Sequence, residues 1–129
     1  MKQQLQVLIV ESDDRVITFL KRVLEKILRS VNISVARDEA TAVSHCAEVD
    51  LAIVEIGHPL FLKTEDSSEL RGLDIVRHLR TEQPQLTIIA VSSYGDNAQE
   101  VAKAAGADLF INNVYDSWRL EAIIKGINF

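Results

Sequence analysis

The sequence predicts a doubly wound α/β fold: a five-stranded parallel sheet with helices on both faces. Two observations carry that expectation. Five short apolar runs, rich in β-branched residues and mostly without polar alternation, read as strands covered on both sides. Between them, apolar residues recur at helical spacing, so strand and helix alternate five times. Right-handed crossovers then require the strands to run parallel.

The first run is "LQVLIV" (5–10), and it leads into a strong helical stripe at Val16, Phe19, Leu20, Val23, Leu24 and Ile27. "VNISVA" (31–36) follows, then a weaker stripe at Ala40, Val43, Cys46 and Ala47, which places Cys46 in the core. The third run, "DLAIV" (50–54), precedes a stripe at Leu73, Val76 and Leu79. "LTIIAV" (86–91) is paired with the small-residue stripe Ala98, Val101, Ala102 and Ala105, closed by Gly106 as a C-cap. "DLFIN" (108–112) and the stripe Leu120, Ile123, Ile124 and Ile127 complete the series. For five strands this favours the flavodoxin-like (βα)5 arrangement with strand order 2-1-3-4-5. One connection is abnormal. "IGHPLFLKTEDSSELRG", roughly 57 to 71, stands where 2–6 residues are usual, and its acidic middle reads as solvated.

At 129 residues the chain is read as one domain, 1–129, with a real core. A formal charge of −5 argues against direct nucleic-acid binding, which needs clustered Lys and Arg. One cysteine permits no internal disulfide, and no apolar run approaches the roughly 18 residues of a membrane span. "MKQQLQVLIV" lacks the pattern of a secretory signal, so a cytoplasmic location with no membrane contact is expected. The chain stops at "IIKGINF", right after a helical pattern, which leaves open that it was cut from a longer protein.

Ligands of open parallel sheets bind outside the carboxyl ends of the strands. The residues there are Glu11 and Ser12 after strand one, and Glu55 after strand three. Ser92 and Ser93 follow strand four, and Asn112 and Asn113 follow strand five. Two carboxylates, hydroxyls and amides should therefore line one polar pocket.

With these residues in place, "VLIVESDD", "LAIVEIGHP", "GLDIVRHLR", "IIAVSSYGD" and "AKAAGADLFINNVYD" resemble, in order, the landmarks of receiver domains of two-component response regulators. The resemblance covers essentially the whole chain. It implies an acid pair after strand one and an aspartate after strand three that together hold Mg²⁺. The aspartate takes a phosphoryl group from a histidine kinase, and a Ser or Thr after strand four and a Lys after strand five bind the phosphoryl oxygens. The chemistry requires such neutralisation, because a carboxylate attacking phosphorus brings charge to charge.

This sequence departs from that pattern at three of five positions. The acid pair becomes Glu11 and Ser12, the phosphoacceptor position is Glu55, and the lysine position is Asn113, followed by Val114 in place of proline. Ser92 keeps the hydroxyl, and Phe110 matches the aromatic whose rotamer tracks activation in the family. Glutamate moves the carboxylate outward by a methylene, beyond the ~0.5 Å tolerance of productive geometry. Two readings of Glu55 follow: a fixed imitation of a phosphorylated aspartate, or a solvated rim residue of a decayed switch. With Glu11 nearby, like-charge repulsion should raise one carboxyl pKa, unless a loop cation such as Lys63 folds over the site.

Other residues carry less. Asp13 and Asp14 fit the first helical turn, with Ser12 or Asp13 as N-cap. His45, His58 and His78 have no ligand spacing. "HLRTE" (78–82) resembles a kinase phospho-histidine box only superficially, and "VSSYG" lacks the glycines of a phosphate loop. Tyr94, Tyr115 and Trp118 are interface candidates on the face around helix four, strand five and helix five, although Trp118 fits a core position equally.

The expectation is therefore a degenerate receiver, or pseudo-receiver: a signalling or scaffolding module, not an enzyme. Its partner would be a protein, whether a kinase, an output domain or a second copy. No cofactor is expected; for Mg²⁺ only Glu11 and Asp13 are weak candidates. One alternative is a receiver with working but atypical phosphorelay chemistry. Another is a small enzyme or nucleotide binder on the same fold.

Overall fold

A computed structural model of the chain describes residues 4–57, 72–92, 97–127 and 129. Strands and helices alternate as β1 (Leu5–Val10), α1 (Asp14–Ile27), β2 (Val31–Ala36), α2 (Glu39–His45), β3 (Leu51–Glu55), α3 (Gly72–Glu82), β4 (Thr87–Val91), α4 (Ala98–Ala105), β5 (Leu109–Ile111) and α5 (Ser117–Lys125). The five strands pair in parallel in the order β2-β1-β3-β4-β5, as the sequence predicts.

The apolar strands feed two cores by alternation. Leu8 and Val10 of β1, Ala52 and Val54 of β3, and Ile88 and Ala90 of β4 face α2, α3 and α4. Their neighbours Val7, Ile9, Leu51, Ile53, Ile89 and Val91 face α1 and α5. A strand buried on both sides has no place for polar alternation, and β3 and β4 show none, whereas the edge strand β2 alternates, with Asn32 and Ser34 between Val31, Ile33 and Val35. Alanines at 98, 102 and 105 keep α4 close to the sheet and α3. Gly106 ends α4 at φ 123°, a conformation that β-carbon sterics reserve for glycine.

Two readings need correction. The second stripe does not lie on Ala40 and Ala47, which are exposed; Cys46 is buried as expected, together with Ala42. Helix α2 stops at His45 and tightens into a 3₁₀ turn, Cys46–Glu48, so the 3.6-residue phase is not sustained through Ala47. Strands three, four and five also start one residue later than predicted, and at three and five the displaced residue is an aspartate. Asp50 and Asp108 stand at their entries, and their carboxylates accept from the backbone N–H groups of Gln6 (2.8 Å) and Ile88 (2.8 Å) of the neighbouring strands. Aspartates also start three helices. Asp13, Asp38 and Asp116 accept from the N–H groups of Arg15, Thr41 and Arg119.

Candidate functional site

The carboxyl ends of β1, β3 and β4 bring Glu11, Glu55 and Ser92 to one rim of the sheet. The parallel ladder sets their heights. Glu11 N–H donates to Ala36 O (3.1 Å), Ile56 N–H to Val91 O (2.9 Å) and Ser92 N–H to Ile111 O (3.2 Å). Glu55 is the last residue of β3, opposite Val91, and not the first residue beyond the strand.

Each polar group of the rim has a specific partner. Glu11 is buried, and its Oε2 accepts from the N–H groups of Ser12 (2.9 Å) and Asp13 (3.1 Å). Glu55 is half-buried, and its Oε1 accepts from Gly57 N–H (2.9 Å). The buried Ser92 hydroxyl donates to the carbonyl of the same residue, Gly57, at 2.9 Å. Gly57 has φ 68°, the left-handed turn that lets one residue present its N–H and C=O to these two side chains. Below the turn, Gly72 brings the start of α3 against β3. A β-carbon there would lie 2.2 Å from Glu55 O and 2.4 Å from Ile56 Cα.

Burial dominates the electrostatics. Desolvation pushes the Glu55 carboxyl from 4.5 up to about 7, opposed by the Gly57 hydrogen bond and helped by the Glu11 charge. The Glu11 carboxyl is also raised, first by burial, with the Asp13 and Ser12 N–H groups and Arg37 acting against it. The expected rise of a carboxyl pKa is present, but burial contributes more than the like-charge repulsion from which it was predicted.

Arg37, just after β2, went unnoticed in the sequence. Its Nη1 donates to Ser12 O (3.0 Å), and its Nη2 pairs with Asp14. It is the cation that acts on Glu11, so the rim does not lack positive charge altogether. An arginine in a β2–α2 turn carries no motif signal; only the β1–β2 pairing brings it here.

The remaining predicted residues are dispersed. Ser12 is exposed, and Asp13 is the N-cap of α1, with both carboxylate oxygens turned to Arg15 (3.3 and 3.1 Å). Asn113 is exposed, and its Oδ1 accepts from Tyr115 N–H (3.0 Å), shaping the β5–α5 turn. Phe110 is partly buried against the α2–α3–α4 core. Tyr94, Ser93, His58 and Lys63 lie outside the described residues. Trp118 is 86% exposed, which rules out its core placement. Tyr115 makes an edge contact with Phe19 of α1 (ring centroids 4.9 Å), so it belongs to the α1–α5 side and not to the α4 side.

The donor set does not suit the Mg²⁺ of the family. A hard cation wants several converging oxygen ligands. Here Ser12 brings no charge, Asp13 is committed to Arg15, and Glu55 is held on Gly57. Among the described residues no three acidic, histidine or cysteine side chains are arranged to hold a metal.

No protein-family profile and no curated protein matches the chain. Solved structures do. A CheY-like response regulator receiver domain protein from Methanospirillum hungatei JF-1 shares 21% identity at TM-score 0.74, over 95% of this chain and 92% of that one. A response regulator from Thermotoga maritima shares 22% at 0.74, over 95% of each. NtrX from Brucella abortus shares 19% at 0.75, over 93% of this chain and 25% of that one. The chain has the fold of CheY-like receiver domains, and no helix among the described residues is long and apolar enough to cross a membrane.

Proposed function

We propose that this domain is a pseudo-receiver: a cytoplasmic signalling module of two-component type that works through protein–protein contacts, without phosphorylation at the usual aspartate position and without enzymatic activity. One observation carries the reading. The two side chains at the positions that would accept and bind a phosphoryl group, Glu55 and Ser92, both engage the peptide groups of Gly57. Phosphoryl transfer to Glu55 would need a charged carboxylate with a free oxygen in line, a metal, and a fixed cation. This carboxyl is pushed toward neutrality, the Asp13 carboxylate is turned to Arg15, and Asn113 shapes its own turn. Arg37 acts on Glu11 and does not figure among the charges that shift Glu55.

The test is uptake of phosphoryl label from acetyl phosphate with Mg²⁺, read by intact mass, beside amide NMR spectra with Mg²⁺ and beryllofluoride. No mass increase and no shifts localised at Glu55, Ser92 and Asn113 are expected. Uptake that disappears in Glu55→Gln would overturn the reading.

A further inference from the structure

Strand β2 is an edge of the sheet, paired only with β1. The ladder to β1 opens with Leu5 N–H on Ser30 O (3.0 Å) and closes with Glu11 N–H on Ala36 O (3.1 Å). Even-numbered residues of β2 therefore turn their peptide groups inward, while Val31, Ile33 and Val35 turn theirs outward. No group among the described residues bonds to the N–H and C=O groups of these three.

Soluble proteins blunt such an edge with charge, proline, a bulge or brevity. Strand β2, VNISVA, has no charged residue and no proline, and its register with β1 runs unbroken over six residues. The opposite edge, β5, is only three residues long. The side chains of β2 are open as well. Val31, Ile33 and Val35 pack on the core from one face yet stay partly exposed, whereas every apolar residue of β1 is buried. Asn32 and Ser34 lie on the other face with Ala36.

An open row of peptide groups takes an extended strand as its occupant. We infer that β2 pairs antiparallel with β2 of a second copy of this chain, about a two-fold axis at Ile33, joining the two five-stranded sheets edge to edge. The strand's own pattern selects this occupant. Opposed residues share a face of the sheet, so the axis must set odd residues against odd and even against even. Centred on Ile33, Val31 meets Val35 of the second copy, Ile33 meets its own counterpart, and Asn32 meets Ser34 of the second copy. Apolar side chains face apolar ones, and the amide faces a hydroxyl. The outward peptide groups all fall in hydrogen-bonded pairs, so each copy satisfies the open groups of the other. At the ends Arg29 comes near Arg37 of the second copy, whose charge Asp14 already meets. The inference rests on the reading of the domain as a protein-binding module, and it adds one surface and its occupant.

Sedimentation of the full chain should show a monomer–dimer equilibrium. Amide exchange of the native protein locates the contact without any variant. The amides of Val31, Ile33 and Val35 should slow with rising concentration, about tenfold once about nine-tenths of the chains are paired, because only the free edge exchanges. Asn32 and Ser34, turned toward β1, should barely change. Cysteine variants then fix the register. Ile33→Cys should give a disulfide-linked dimer on mild oxidation, because that residue faces its counterpart, whereas Val31→Cys and Val35→Cys should link only when mixed. The native chain, whose Cys46 is buried, is the unlinked control. A monomer at every concentration would overturn the inference, as would a dimer protected outside β2. Linking of Val31→Cys alone as readily as Ile33→Cys would do the same. Phosphoryl uptake at Glu55 would defeat the proposed function and leave these measurements unaffected.

Discussion

Neutralising Glu55 should stabilise the protein, and the gain should depend on pH. In the unfolded chain this carboxyl titrates near 4.5; in the native state burial moves it to about 7. Over that interval the native state holds a proton that the unfolded state has lost. The stability tied to the group is therefore fully present below 4.5 and is lost as pH rises through 7. At about 1.4 kcal/mol per pH unit, the full difference is roughly 3 kcal/mol. Since Glu55 is only half-buried, solvent screening lowers the expected value to about 2–3 kcal/mol.

Glu55→Gln removes the titration and keeps an oxygen for Gly57 N–H. At pH 8 the variant should exceed the native protein by about 2–3 kcal/mol in urea denaturation, or by roughly 8–12 °C in Tm for a domain of this size. At pH 4.5 the two should nearly coincide. A gap that fails to narrow between pH 8 and pH 4.5 would refute the reasoning, as would a Glu55 carboxyl whose ¹³C shift titrates below pH 5.

Gly72→Ala should cost about 3 kcal/mol or more, because the new methyl meets backbone atoms of Glu55 and Ile56 that cannot turn aside; thermal unfolding measures it. Arg80 donates to the carbonyls of Gly106 (3.0 Å), Pro84 (2.9 Å) and Leu86 (2.7 Å) and to the Asp108 carboxylate (2.7 Å). Arg80→Ala should lose about 2–4 kcal/mol in urea denaturation, and Arg80→Lys should recover only a minor part, since one ammonium cannot span that fork. His78 bridges α2 and α3, with Nδ1 2.7 Å from Glu39 and Nε2 3.6 Å from Glu82. The Glu39 contact leads in raising its pKa, so any stability it adds is present in acid and fades as pH rises through the raised value. Its NMR titration midpoint should lie above 6.5 and fall in Glu39→Gln.

The sheet was legible because strands buried on both faces write their burial as unbroken apolar runs. Helices α1, α3 and α5 bury stripes with enough Leu, Ile or Val to show their period, and in α4 an unbroken stripe of alanines at 98, 102 and 105 around Val101 does the same. Helix α2 is short, and its buried residues are Ala42 and Cys46, types that hardly contrast with an exposed Ala40. The aspartates entering β3 and β5 were read as strand residues, since a carboxylate bonded to a neighbouring strand's N–H leaves no pattern within its own strand.

The rim was legible in part for a related reason. A parallel sheet places every strand's last residue on one edge, so Glu11, Glu55 and Ser92 were bound to meet there, whereas what they bond to depends on turns. Gly57 shows this most clearly. Its left-handed φ turns its peptide groups toward both Glu55 and Ser92, and no residue pattern specifies that orientation. The longer glutamate arm reaches around to an N–H two residues along its own chain. That contact is the strongest physical reason to read Glu55 as a fixed element of the turn and not as an acceptor awaiting a phosphoryl group. If the turn depends on it, Glu55→Ala should unlock Gly57 and Ser92 together, and the amide exchange of both should quicken in step.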